Sequence, residues 1–167
     1  MEYQSLKHTF DPVFDEESKI LILGSFPSVK SRENNFFYGH PQNRFWKMIA
    51  AITGSEIPMT VDDKKKMLLE NNIAIWDVIK SCHISGSSDS SIKDVTVNDI
   101  HGLLEKSNIT TIIANGTKAY ELYMKYAFDS TKKEIIKLPS TSPANAACNF
   151  EKLVEIWGTT LDICLNI

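Results

Sequence analysis

The sequence predicts an α/β domain built on a mainly parallel sheet. Short apolar, β-branched runs alternate with stretches of helical spacing. The loops richest in polar and aromatic residues also begin directly after those runs, where ligands of open α/β sheets bind. Residues 19–24, "KILILG", form a continuous apolar run ending in Gly, as in a strand buried on both faces. A long loop follows, over 25–42. Residues 43–52 place Phe45, Met48, Ile49 and Ile52 at helical spacing. Thr60 with Asp63 resembles a capping box and opens a helix to Asn71. Residues 73–76 are a second strand. Asn98 is placed to cap a helix through Lys106, and 110–114, "TTIIA", is β-branched and strand-like. Residues 117–126 read as helix and 134–138 as the fourth strand. Asn149 caps a last helix to about Asp162. Crossovers between parallel strands should be right-handed.

The 167 residues suit one domain, spanning 1–167. The formal net charge of −3 gives no global basic field, so any nucleic-acid contact must use local charge. Runs such as "ILIL" are too short to cross a bilayer, and the polar N-terminus lacks an apolar signal core. A soluble, cytoplasmic protein with no membrane partner is expected. Cys82, Cys148 and Cys164 are scattered, without a C-x-x-C pair. That argues against a zinc ribbon, a disulfide framework and an iron–sulfur cluster. No metal and no cofactor are expected, and the protein is read as a monomer.

Three loops should share the carboxyl edge of the sheet: 25–43 after Gly24, 76–91 after Ile75, and "PSTSPAN" (139–145) after Leu138. In the first, Phe36, Phe37 and Tyr38 offer flat apolar faces, and Gln42 and Asn43 offer amides that both donate and accept. Lys30, Arg32, Arg44 and Lys47 surround one acid, Glu33. Aromatic faces beside cations are how flipped-out or single-stranded bases are held; the alternative places the aromatics in the core and the cations in solvent. In the third loop, hydroxyls between two prolines can grip phosphate oxygens.

No nucleophile–base system stands out. Ser140 or Ser142 could pair with His40, but no G-x-S-x-G elbow is present. "GTKAYELY" has one Gly and is not a phosphate loop. Asp77, following a strand, reads as a turn or helix cap before it reads as catalytic.

"ILILGSFPSVKSRENNFFYGHPQNRFWK" resembles the first motif region of the uracil-DNA glycosylase superfamily, and "LPSTSPAN" its second motif. The similar branches are the mismatch-specific uracil/thymine glycosylases and the hypoxanthine-DNA (deoxyinosine) glycosylases. The resemblance covers most of the chain. It implies a three-layer sandwich around a central, mainly parallel four-stranded sheet. It departs from the mismatch branch at one point. There, the first strand is followed by G-x-N-P-G, whose Asn positions the attacking water. Here the segment reads Gly24-Ser25-Phe26-Pro27-Ser28, with Phe26 at the Asn position. "GSFPS" with "GHPQNRFW" resembles the hypoxanthine branch, whose important amide lies further along and points to Asn43.

The implied reaction is hydrolysis of the N-glycosidic bond to a deaminated base, foremost hypoxanthine, in double-stranded DNA. In that reading Asn43 orients water or holds the leaving base, while His40 assists leaving-group charge or merely caps a turn. Ser25, Phe26, Phe37, Tyr38 and Gln42 line the base pocket, with Tyr38 the stacking ring and Phe37 its reserve. Ser140, Thr141, Ser142, Pro143, Asn145, Lys30 and Arg32 contact DNA, and 143–145 supplies a wedge. The loop around Asp89 could also line the pocket, or be a turn. No lysine is placed as a Schiff-base nucleophile, so a monofunctional enzyme without lyase activity is expected. Other readings are a mismatch-specific uracil/thymine glycosylase, a non-catalytic nucleic-acid-binding domain of the same fold, and a small-molecule hydrolase.

Overall fold

The computed structural model describes residues 4–8, 10–85 and 92–165. Four strands form a fully parallel sheet: β2 (Ile20–Gly24), β3 (Ile73–Asp77), β6 (Thr111–Asn115) and β7 (Ile135–Leu138), in the order β3-β2-β6-β7. These are the four strands expected from the sequence. Every residue of β2 is buried, as its unbroken apolar run implies. The pleat sends Ile20 and Ile22 into one apolar cluster and Leu21 and Leu23 into the other. A central sheet therefore separates two cores.

The first core packs the sheet against α2 (Phe45–Thr53), α3 (Val61–Glu70) and α7 (Phe150–Leu165). The second takes Leu103 of α4 (Ile100–Glu105), Leu122 and Tyr123 of α5 (Thr117–Tyr126), and Phe128 of the short α6 (Phe128–Thr131). The Thr60 cap is present: its Oγ1 accepts from the Asp63 amide at 3.0 Å. Asn149 Oδ1 likewise accepts from the Lys152 amide at 2.9 Å.

Other local expectations are corrected. Asp99, not Asn98, caps α4, accepting from the Gly102 amide at 3.0 Å. Asn98 instead turns inward and donates to the carbonyls of Asp77 and Ile79 at 2.9 and 3.2 Å. The long loop 25–42 contains a helix, α1 (Val29–Asn34), capped by Ser28. The segment after β3 does not run on as a loop. It forms β4 (Ile79–Ile84), which pairs antiparallel with β1 (Gln4–Lys7) and β5 (Lys93–Val97) in a second, three-stranded sheet. The segment around Asp89 lies outside the described residues.

Candidate active site

A cavity of about 440 Å³ opens at the carboxyl edge of the parallel sheet. After β2 it is lined by Gly24, Ser25, Phe26 and Pro27, and after β3 by Asp77. Asn115 to Lys118 contribute after β6, and Ser140, Thr141 and Ser142 after β7. Phe37, Tyr38 and Asn43 close it from the segment ahead of α2. A wider groove of about 720 Å³ adjoins it, sharing Gly116, Thr117, Ser140 and Ser142 and carrying Lys137 and Lys152.

Two glycines let this edge close up. A Cβ on Gly24 would overlap Oδ1 of Asp77 and lie 3.3 Å from the Tyr38 hydroxyl. Gly116 has φ +99°, and a Cβ there would lie 2.9 Å from that of Ser140. Two tryptophans anchor the loops from the core. Trp46 Nε1 donates to the Phe37 carbonyl at 3.2 Å, and Trp157 Nε1 to the Pro139 carbonyl at 2.9 Å.

Asn43 is oriented by a chain of hydrogen bonds. Its Oδ1 accepts from the Phe45 amide and from Thr141 Oγ1, both at 2.9 Å. Thr141 Oγ1 in turn accepts from Asn115 Nδ2 at 3.0 Å, while the Thr141 amide donates to Asn115 Oδ1 at 3.0 Å. Each amide is thereby assigned unambiguously. With Oδ1 doubly bonded, Asn43 presents its Nδ2–H₂ group as a donor at the cavity wall.

Tyr38 has φ +52°, in the left-handed region a bulky residue rarely adopts. Its ring stacks on Phe45 with centroids 4.2 Å apart. Its hydroxyl is buried and without a hydrogen-bond partner. Burial pushes the phenol well above the ordinary tyrosine range, and the Asp77 carboxylate raises it further. The neighbouring Asn115 amide opposes the shift in part. The site thus keeps a protonated phenol at its floor.

Asp77 is 4 % exposed. Its Oδ2 accepts from Nε2 of His8 at 2.8 Å, and His8 is itself enclosed by the rings of Phe10, Phe26 and Phe37. It is a cavity residue rather than the turn or helix cap favoured by its sequence context.

Of the expected site residues, Ser25, Phe26, Phe37, Tyr38, Asn43, Ser140, Thr141 and Ser142 come together around the cavity. Phe37 is at once lining and core, being 2 % exposed. His40 and Gln42 stand outside the lining: His40 Nδ1 accepts from the Gln42 amide at 3.0 Å, so the imidazole caps its own turn. Thr141 is fully buried and spends its hydroxyl on Asn43, so it cannot reach a phosphate. Pro143 does not line the cavity; Asn145 lines the outer groove and donates to the Ser140 carbonyl at 3.0 Å. Lys30 lies outside too, 3.3 Å from Glu33. Arg32 lies over the Phe26 ring, 5.8 Å from its centroid, with one guanidinium nitrogen buried, and it does not line the cavity.

Arg44 is a clamp. It donates to the carbonyls of Ser142 at 2.8 Å, Asn145 at 3.2 Å and Thr141 at 3.4 Å, and also to Cys148. The cavity residues not named from sequence include Asn115 to Lys118, and Asp77 was ranked there behind a turn or helix cap. The edge rule could have found the first group, since "NGTK" follows a strand as the other three loops do.

Residues 12–159 match the family described as the uracil DNA glycosylase superfamily. A hypoxanthine DNA glycosylase of Methanosarcina acetivorans is 40% identical over 144 residues, 84% of this chain and 89% of that protein. One from Methanosarcina barkeri is 36% identical over 117 residues, 69% of this chain and 74% of that protein. The solution structure of a candidate uracil DNA glycosylase from Methanosarcina acetivorans superposes with a TM-score of 0.79 at 36% identity. It covers 93% of this chain and 96% of that one. The chain belongs to the uracil DNA glycosylase superfamily.

Proposed function

We propose that this protein is a monofunctional DNA glycosylase that releases hypoxanthine from double-stranded DNA by water attack, leaving an abasic site. The observation that carries this reading is the Asn43 amide, held donor-outward by Phe45 and Thr141 in the cavity that Phe26 also lines. The relatives named as hypoxanthine DNA glycosylases support the choice of base.

The target nucleotide leaves the stack at a cost of a few kcal/mol, least for a mismatched base such as hypoxanthine. An aromatic face in the cavity returns roughly 1–3 kcal/mol by stacking; Tyr38, half-buried at the cavity, supplies it. As the glycosidic bond breaks through an oxocarbenium-like state, negative charge develops on the base. A preoriented amide donor at that charge stabilises the transition state more than the ground state. Asn43 fills that role, whether it holds the base directly or through the attacking water. Ser140, Ser142 and Lys118 at the mouth, with Lys137 and Lys152 along the groove, hold the backbone phosphates.

The test is a panel of labelled duplexes carrying inosine, uracil, xanthine or thymine, incubated with the protein and then treated with alkali to cleave abasic sites. Inosine strands should be cut, and only after the alkali step. Binding without release from any duplex would instead support a non-catalytic module.

A further inference from the structure

We infer that His8 is a positioning residue for base recognition: by holding Oδ2 of Asp77 it keeps Oδ1 turned to the cavity as a fixed acceptor. The ligand feature it reads is the ring N–H beside a carbonyl that hypoxanthine and uracil carry and that adenine and cytosine lack. This rests on the glycosylase reading and extends it to the choice of base.

His8 ends the N-terminal stretch through β1, ahead of the residues 12–159 that match the family. Its backbone amide donates to the Lys80 carbonyl at 2.7 Å, which locks the end of β1 onto β4. The imidazole then reaches Asp77 with both side chains almost wholly enclosed, 2 % and 5 % exposed. Three phenyl rings wall the imidazole in, the nearest, Phe10, 4.4 Å away between centroids. A buried carboxylate whose partner is fixed on one oxygen has one defined direction for the other.

That other oxygen accepts no hydrogen bond from any described residue, and Asp77 lines the cavity. Gly24 leaves the space it occupies, and the unpartnered Tyr38 hydroxyl approaches the same point. The floor therefore offers one fixed acceptor, Oδ1 of Asp77. Hypoxanthine presents the complement, N1–H. Adenine presents a bare N1 lone pair to the carboxylate. A site built to bond a polar group rejects the analogue lacking it because its own buried groups are then left unpaired.

The experiment compares single-turnover base release from duplexes carrying deoxyinosine or deoxynebularine, whose purine base has neither N1–H nor O6. His8→Ala should slow hypoxanthine release about 10- to 100-fold, with purine release near the wild-type rate. His8→Gln, which keeps an N–H donor for Oδ2, should restore much of the loss. If His8→Ala does not fold, the near-isosteric Asp77→Asn carries the comparison and should lower the same ratio. Equal losses on both duplexes, or hypoxanthine release unchanged in both variants, overturn the assignment while leaving the glycosylase reading intact. Absence of release by the wild-type protein from every duplex overturns that reading and this one together.

Discussion

Thr141 Oγ1 donates to Asn43 Oδ1 at 2.9 Å, joining the loop after β7 to the segment before α2 across 98 residues of sequence. The bond decides which end of the Asn43 amide faces the cavity. Asn43→Ala should therefore abolish base release with folding intact. Thr141→Val keeps the shape but removes the hydroxyl, and should slow release about 10²-fold, the scale of losing one preoriented donor. Single-turnover kinetics beside thermal melts check both. Near-normal release by Asn43→Ala would falsify its role.

Tyr38→Phe removes a buried hydroxyl that has no partner in the unliganded protein. Stability near neutral pH should hold or rise by up to about 1 kcal/mol, because no desolvated hydroxyl is left unpaired. Base release should fall. The folded state holds the phenol proton more tightly than the unfolded chain does, since burial and then Asp77 raise its pKa. The stability linked to Tyr38 is therefore complete below the ordinary tyrosine value near 10 and is lost as pH rises above it. Denaturant titrations between pH 8 and 11 should show a shallower alkaline decline in Tyr38→Phe than in the wild type.

By its resemblance to the mismatch branch, the segment Gly24 to Ser28 has Phe26 at the place of a water-positioning Asn. Replacing Phe26 with Asn should raise uracil release if the missing amide explains a preference for hypoxanthine. The same duplex panel measures it, and an unchanged substrate profile would show that this position is not the specificity switch.

Arg44 gathers four carbonyls of the segment 141–148. Arg44→Ala should cost about 2–3 kcal/mol in urea unfolding, the range for hydrogen bonds to a charged group, and should weaken DNA binding as the loop loosens. Arg44→Lys should rescue little, because a point charge cannot replace the planar fork.

Gly24→Ala is expected to lower both stability and release, the former by roughly 1–3 kcal/mol, since the new methyl group meets Oδ1 of Asp77. A variant with wild-type rates would show that Asp77 can move aside without consequence.

The strands of the parallel sheet, the three principal helices of the first core and the edge that carries the cavity were legible in the sequence. Their signals are local: an unbroken apolar run for a strand buried on both faces, and three- to four-residue spacing for a half-buried helix. Asn43 was legible too, through the resemblance carried by "GHPQNRFWK". The second sheet was not. β1 is four residues long, and the β4–β5 ladder has register shifts that break the alternation marking a half-buried strand. Nor were the contacts of His8, Asp77, Thr141 and Arg44. The His8–Asp77 pair spans 69 residues and the Arg44 clamp about a hundred, and such meetings leave no periodic trace. Sequence by itself determined which elements form and which edge they expose, because burial pattern follows from the chain's own spacing. Only the tertiary structure decided which polar atoms of that edge face the cavity, because each is aimed by a partner brought from a distant strand or loop.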